Sequence, residues 1–236
     1  MTDIILEVQE TTSFEALSAK CYRYFAQRGV CQFSYFHFPP IGAVDYNNVK
    51  LIVWMGYPNA WIEAYRNAGY VKNDPVALRL LREHKPVWTQ QRLALPNASP
   101  AECAYLELLR SCGVKDDLAI PVFGPGGRDG GYGIGFEDDA HDISQTQINE
   151  IQWVCQCAHI KYCELLDKNL EKAPDLSARE AEVLKLIANG ASSPQIAEAL
   201  SVSPKTIETY LSRIFVKLDV HDRMTAALRA ISNGMI

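Results

Sequence analysis

The sequence of 236 residues contains no apolar run close to the roughly 20 residues that a helix needs to cross a bilayer. Its first residues, MTDIILEVQETTSF, are acidic and lack the basic and apolar regions of a secretory signal peptide. These two absences exclude the usual signals for membrane insertion and export. We therefore expect a cytoplasmic protein with no membrane partner.

Signatures of catalysis and metal binding are missing as well. The seven cysteines include no CxxC pair, and the five scattered histidines include no HExxH motif. There is no Ser-His-Asp or Cys-His signature. The glycine-rich segment 124–135 lacks the lysine of a phosphate loop, so we interpret it as a hairpin turn. We expect reduced thiols, no metal, no cofactor and no enzymatic activity; the acidic run 137–142 is more typical of a solvated loop than of a cation site.

The charge is distributed unevenly along the chain. Hydrophobic residues make up 48% and charged residues 22%, which is ordinary for a folded protein, and the net charge is −5. The segment 176–236 holds seven basic and six acidic residues, a net charge of +1, which leaves −6 for the rest. The attraction of phosphate groups to such a near-neutral segment is modest, so tight binding of a nucleic acid by this segment would need two copies.

A charged run that ends in a proline, residues 167–175, marks the clearest domain boundary. We predict a first domain over 1–167, a linker over 168–175 and a second domain over 176–236. In the first domain, helical and strand patterns alternate, which predicts an α-β-α sandwich. The predicted helices are 13–28, 59–67, 75–84, 100–112 and 144–166, and the predicted strands are 32–38, 51–55, 118–123 and 132–136.

The last of these helices has more apolar surface than one buried face requires. Its main stripe recurs at helical spacing, and Trp153, Cys157 and Ile160 add a second apolar edge. This surplus indicates either a dimer contact or a deeply buried helix, and the sequence favours neither.

Four helix starts follow one another in the second domain. Ser177 and Glu180 form a capping box, Ser193-Pro194 and Ser203-Pro204 each combine a cap with a proline, and Asp222 caps the last helix. In the third helix, Ile207, Leu211, Ile214 and Leu218 form the inward stripe. Two short helices joined by a tight turn, with polar side chains outside the second, predict a helix-turn-helix that docks in the major groove.

The outer row of that third helix supplies the chemistry for DNA recognition. Glu208 can accept a hydrogen bond from a cytosine amino group, and Thr209 offers a hydroxyl and a methyl group to base edges. We expect Lys205, Arg213 and Lys217 to neutralise phosphates, while Ser193 and Thr206 place helix N-termini near the backbone.

The segment 176–236 closely resembles the DNA-binding domain of LuxR-type regulators, on the signature LSAREAEVLKLIANGASSPQIAEALSVSPKTIETYLSRIFVKLDV. The resemblance implies that Glu208, Thr209 and Ser212 face the bases and that Lys205, Arg213 and Lys217 lie near the backbone. Many relatives have basic residues in this row, so Glu208 leaves the base preference open.

The first domain resembles the autoinducer-binding domain of quorum-sensing regulators, which recognise N-acyl homoserine lactones. The residues that carry this resemblance are YPNAWIEAY from Tyr57 to Tyr65, then Asp74-Pro75 and Trp88. It implies that Trp61 donates to the lactone carbonyl, Asp74 accepts from the ligand amide and Tyr65 holds the amide carbonyl. It also implies that the aromatic rings of Tyr57 and Trp88 line the pocket.

Two departures from the family pattern predict an altered pocket for the acyl tail. Asp117 stands where many relatives have a second glycine, and Phe136 is aligned with a serine or threonine that helps to bind the acyl carbonyl. We therefore include Phe136 in the predicted lining and leave the acyl or aryl group of the ligand open.

The sequence as a whole predicts an α+β protein: an α-β-α sensor domain followed by a four-helix helix-turn-helix domain. The predicted function is a ligand-responsive transcriptional regulator of quorum sensing. It would bind an autoinducer similar to an N-acyl homoserine lactone and act as a homodimer on a palindromic operator of double-stranded DNA. The alternative is a LuxR-type regulator without a cognate synthase, which senses another metabolite or acts without a ligand.

Overall fold

A computed structural model describes residues 2–43, 50–93, 97–114, 116–136, 143–169 and 174–236. The chain divides into two compact units: residues 1–38 with 49–169, and residues 39–48 with 170–236. The predicted domain and linker boundaries remain a prediction. The acidic run 137–142 lies outside the described residues.

The first unit is built on a five-stranded sheet in the order β2-β1-β5-β4-β3, and every neighbouring pair is antiparallel. The central strand, β5, is rich in glycine, so side chains on both faces of the sheet approach its backbone closely. It forms a hairpin with β4 through a 3-10 turn over Pro125–Gly127, which confirms the hairpin interpretation of the glycine-rich segment. The strands are β1 Val30–Phe38, β2 Lys50–Met55, β3 Val87–Trp88, β4 Asp117–Val122 and β5 Asp129–Phe136.

One face of the sheet is covered by three helices: α1 Thr2–Gln9, α2 Phe14–Ala26 and α8 Gln145–Asn169. Ser13 caps α2 by accepting from the amide of Ala16 at 3.2 Å. The sequence prediction missed α1, because its apolar pattern is short and it is buried only through contact with its neighbours. The buried side of α8 includes Ile151, Val154, Cys155, Ala158, Tyr162 and Leu165.

The other face carries five further helices among the described residues, and with the first group they confirm the predicted α-β-α layers. Two of them, α5 and α7, are joined by an ion pair between Arg79 Nη1 and Glu102 Oε1 at 2.6 Å. Glu102 also completes a capping box with Ser99 at the start of α7. The helices are α3 Asn59–Asn67, α4 Tyr70–Asn73, α5 Pro75–Glu83, α6 Thr89–Leu93 and α7 Pro100–Ser111.

The second unit contains four helices around an apolar core, as predicted: α9 Ala178–Ala188, α10 Ser193–Ala199, α11 Pro204–Leu218 and α12 Arg223–Ser232. Ser177, Ser203 and Asp222 are the N-caps of α9, α11 and α12. The cap of α10 corrects the sequence prediction. It is Ser192, whose amide and hydroxyl both donate to Gln195 Oε1, while Ser193 is the first helical residue. Proline is tolerated at either of the first helical positions, so Pro194 could not distinguish them.

All seven cysteines are free thiols, three of them buried. Within the described ranges, no group of His, Cys, Asp and Glu side chains is arranged to hold a metal ion. None of the described helices is long and apolar enough to span a membrane.

Candidate ligand cavity and nucleic-acid interface

A cavity lies between the sheet and the helices α3, α5 and α7. Aromatic side chains form much of its wall, as is typical of small-molecule sites. The predicted residues Tyr57, Trp61, Tyr65 and Asp74 all line it. The aromatic lining is completed by Phe36, Phe38, Trp54, Tyr105 and Tyr132.

Trp61, Tyr65 and Asp74 form one polar end of this cavity. Trp61 and Tyr65 lie one helical turn apart on α3, with ring centroids 5.5 Å from each other, and both are buried. The Tyr65 hydroxyl donates to Asp74 Oδ2 at 2.7 Å. The structure therefore brings together the three residues that the sequence resemblance assigned to the polar groups of a ligand.

Asp74 is held in place by the backbone of α5. Its Oδ1 accepts from the amides of Val76 at 2.7 Å and Ala77 at 3.0 Å, so Asp74 is the N-cap of that helix, with Pro75 at the first helical position. Burial raises the pKa of this carboxyl above its usual value, and the hydrogen bonds from Ala77, Tyr65 and Val76 oppose that shift. One oxygen is thus fixed by the helix, and the other is directed to Tyr65.

A second polar group lines the cavity where β1, β4 and β5 run side by side. The Tyr57 hydroxyl lies 3.3 Å from Ser34 Oγ and donates to Asp117 Oδ2 at 3.4 Å. Burial raises the pKa of Asp117 to about 6; the neighbouring Asp116 and Asp74 contribute to the rise, and the hydroxyl of Thr89 opposes it. The cavity therefore contains two carboxyl groups.

Phe136 and Trp88 do not line this cavity, contrary to the expectation from the sequence. Their rings pack against each other at 6.0 Å, on the side of the sheet that α8 covers. Side chains alternate between the two faces of a strand, and on β5 the cavity face includes Gly131 and Gly133. The β5 position that contributes a polar or small group to the pocket is therefore Gly133, three residues earlier than Phe136.

Several lining residues escaped the sequence analysis: Ser34, Trp54, Thr89, Tyr105 and Gly133. Alternation along each strand could have assigned Ser34 and Gly133 to the same face of the sheet. It could not have shown that the two residues lie opposite each other, because that depends on the register of β1 and β5. Asp117 was noticed only as a departure from the family pattern. No local signal in the sequence links it to Tyr57, which lies 60 residues away.

The predicted DNA-contacting row lies on the outer side of α11. Lys205, Glu208, Thr209, Ser212 and Arg213 are all exposed, while Ile207, Ile214 and Leu218 are buried behind them. The hydroxyls of Thr209 and Ser212 donate to the carbonyls one turn earlier, which leaves their oxygen lone pairs to accept from a partner.

Three predicted DNA contacts have intramolecular roles as well. Lys217 Nζ bonds Glu180 Oε2 at 2.7 Å and the carbonyl of Asp175 at 2.9 Å, so it joins α11 to the start of α9. The hydroxyls of Thr206 and Ser203 lie 2.8 Å apart at the start of α11. Ser193 lies in the first turn of α10, next to the cap.

Two family models match the chain. The model of the autoinducer binding domain covers residues 13–162, and the model of the luxR family of bacterial regulatory proteins covers residues 174–230. Among curated proteins, the chain is 26% identical to the transcriptional activator protein AnoR of Acinetobacter nosocomialis, over 79% of each chain.

Solved structures agree with the fold. SdiA of Escherichia coli superposes with a TM-score of 0.76 at 19% identity, over 100% of this chain and 97% of that one. A complex of SdiA with octanoyl-rac-glycerol gives 0.72 at 18% identity, over 99% of this chain and 94% of that one. CepR2 of Burkholderia cenocepacia, described as N-acylhomoserine lactone dependent, superposes with a TM-score of 0.51 at 16% identity, over 72% of this chain and 96% of that one. The chain therefore belongs to the proteins with an autoinducer binding domain, which is followed here by a DNA-binding domain of the luxR family, and it is a regulator of transcription in quorum sensing.

Proposed function

We propose that the cavity binds an N-acyl homoserine lactone and that the bound protein acts as a homodimer on a palindromic DNA operator. The observation that carries the ligand assignment is the group of Trp61, Tyr65 and Asp74 at one end of an aromatic cavity. An acyl lactone has one amide donor and carbonyl acceptors on both sides of it. A buried carboxylate and two aromatic donors match that set.

The ligand atoms are matched one by one. Asp74 Oδ2 accepts from the ligand amide N–H, since Oδ1 is already engaged by the backbone of α5. When the ligand binds, the Tyr65 hydroxyl turns from Asp74 Oδ2 to donate to the amide carbonyl, and Trp61 donates to the lactone carbonyl. Each polar atom of a buried ligand needs such a partner, because leaving one unpaired costs about 1–3 kcal/mol.

The homodimer rests on the outer face of α8. Trp153 is 53% exposed and Ile160 is 46% exposed, with Cys157 between them at helical spacing. An exposed tryptophan in an apolar stripe is typical of a protein interface. Two weakly basic DNA-binding units that pair about a two-fold axis would match an operator with two symmetric half-sites, which is the palindrome that we propose.

Asp74→Asn tests the ligand assignment without removing the helix cap, because asparagine caps as well as aspartate. We expect the affinity for N-octanoyl homoserine lactone to fall about 10- to 100-fold, since the amide nitrogen cannot accept from the ligand N–H. Isothermal titration of the full chain measures this change.

Asp222→Asn is the matched control, because Asp222 caps α12 in the second unit in the same way. It should leave the lactone affinity unchanged. Equal affinity of wild type and Asp74→Asn would contradict the binding mode. No binding of any lactone to the wild type would favour a regulator that senses another metabolite or acts without one.

A further inference from the structure

Asp117 introduces an acceptor into the cavity that an unsubstituted acyl chain has no atom to satisfy. Its Oδ1 is buried and has no hydrogen-bond partner among the residues that the structure describes. Its Oδ2 accepts from the Tyr57 hydroxyl at 3.4 Å, and the Thr89 side chain also hydrogen-bonds this carboxyl group. A buried carboxylate oxygen without a donor is costly, so a ligand that brings a donor to it gains affinity.

The glycine at position 133 makes room for this polar group. A Cβ atom at Gly133 would lie 2.6 Å from Ser34 Oγ, 2.9 Å from Asp117 Oδ2 and 3.0 Å from the Tyr57 hydroxyl. These three groups therefore converge over a strand position that only glycine leaves open. Because β1, β4 and β5 supply the surrounding backbone, the arrangement is set by strand register.

A second buried atom in the same lining is a hydrogen-bond donor that lacks an acceptor among the described residues. The indole Nε1 of Trp54 is buried and, within the described part of the chain, has no acceptor. Trp54 pairs with Ser34 across β1 and β2. The lining thus offers one unpaired acceptor and one unpaired donor. A hydroxyl group can donate to the first and accept from the second, whereas a ketone can only accept and an ammonium can only donate.

We propose that Asp117 selects ligands whose acyl chain carries a hydroxyl group, in preference to the keto or unsubstituted chain of the same length. This inference rests on the proposed function in that it takes the cavity to hold an acylated ligand, but it does not depend on the lactone head group. The preference arises because a keto oxygen brings a lone pair towards the Asp117 carboxylate, and a plain methylene leaves Oδ1 unpaired.

The charge state of Asp117 supports the same preference. Burial is the largest cause that raises its pKa, to about 6, so the carboxyl is mostly ionised at pH 7 and then accepts hydrogen bonds only. A hydrogen bond to an ionised group is stronger than one between neutral groups.

The test compares eight probes: N-octanoyl, N-(3-oxooctanoyl) and each enantiomer of N-(3-hydroxyoctanoyl) homoserine lactone, and the four monoacyl glycerols with the same acyl chains. For the wild type, we expect one hydroxy enantiomer to bind at least about tenfold more tightly than the oxo compound of the same series. Titration of the full chain measures each dissociation constant.

Asp117→Asn keeps an oxygen acceptor for Tyr57 and Thr89, removes the negative charge and adds an amide N–H donor. The ratio of hydroxy to oxo affinity should fall to within about threefold, because the amide N–H now meets the keto oxygen. Asp116→Asn is the matched control; Asp116 Oδ1 accepts from the backbone amide of Gln90 at 2.7 Å and does not line the cavity. This variant should retain the wild-type ratio.

The outcomes separate this inference from the proposed function. Lactones that bind through Asp74 with equal hydroxy and oxo affinities would overturn the role of Asp117 and leave the proposed function intact. Hydroxy preference confined to the glycerol series, with no lactone bound, would overturn the lactone and support Asp117. Failure of every probe to bind would overturn both.

Discussion

His159 lies fully buried on α8, and both ring nitrogens are in hydrogen bonds. Nε2 lies 2.8 Å from the carbonyl of Arg128, which can only accept, so Nε2 carries the proton. Nδ1 then accepts from the hydroxyl of Tyr35 at 2.8 Å. Burial lowers the pKa of His159 to about 4, because a charged imidazolium would lose its hydration there.

A pH effect on stability follows from that shift. Between pH 6.5 and about 4 the unfolded chain binds a proton at His159 that the folded chain does not, so stability falls as the pH falls through this window. From pH 7 to pH 5 we expect a loss of about 2 kcal/mol from this residue. Asp117 has a raised pKa and contributes with the opposite sign below pH 6.

The difference between the wild type and His159→Gln in how their unfolding free energies change with pH isolates the contribution of the histidine. Glutamine can still donate to the Arg128 carbonyl but does not titrate. The stability of the variant should therefore fall less than that of the wild type between pH 7 and pH 5. All four tryptophans lie in the first unit, so urea unfolding followed by their fluorescence reports on it. Parallel pH profiles for the two proteins would contradict the assignment.

At the scale of one element, α11 has two faces with separate tasks. Ile207, Ile214 and Leu218 are buried in the core of the second unit, while the neighbouring Arg213 is exposed. The cap by Ser203 fixes where the helix begins, and the bond from Lys217 to Glu180 ties its last turn to the start of α9. The buried face positions the helix, and we propose that the exposed face contacts DNA.

Adjacent substitutions on α11 should separate these tasks. Ile214→Ala removes fully buried atoms and should destabilise the second unit by about 2–5 kcal/mol. Arg213→Ala should change stability by about 0.5 kcal/mol or less, yet weaken DNA binding and reduce the slope of log affinity against log salt by about one. Urea unfolding followed by circular dichroism and DNA titrations at several salt concentrations measure both. An unchanged salt slope for Arg213→Ala would argue against a phosphate contact.

At the scale of the whole molecule, the low positive charge of the segment 176–236 is one reason to propose that the protein binds DNA as a dimer. The segment 176–236 carries a net charge of only +1, so a single copy gains little from phosphate attraction. Two linked copies add their contacts, because the second binds at a high effective concentration.

Trp153→Glu tests the α8 interface. A charge in an apolar contact should raise the dimer dissociation constant at least about tenfold and lower operator affinity, while ligand binding per chain stays the same. Sedimentation at several protein concentrations measures the dimer constant. Leu6→Glu is the control, since Leu6 on α1 is equally exposed, at 55%. A Trp153→Glu protein that sediments like the wild type would place the interface elsewhere.

The sequence by itself determined most helices, because their signals are local. The segment predicted over 59–67 coincides with α3, and the caps at Ser177, Ser203 and Asp222 are as predicted. Caps and apolar stripes act over three or four residues, so a short window of sequence contains the whole cause. Trp61 and Tyr65 were found together for the same reason.

Only the tertiary structure decided which side chains meet in the cavity. Gly133 lies on the cavity face and Phe136 on the opposite one, because a strand changes face at every residue and its pairing sets which face is buried. Asp117 and Ser34 come together through the register of β4, β5 and β1, Tyr57 reaches them from the loop after β2, and Lys217 reaches Glu180 across 37 residues. Such contacts depend on how distant segments pair, and that pairing is not present in any local stretch of the chain.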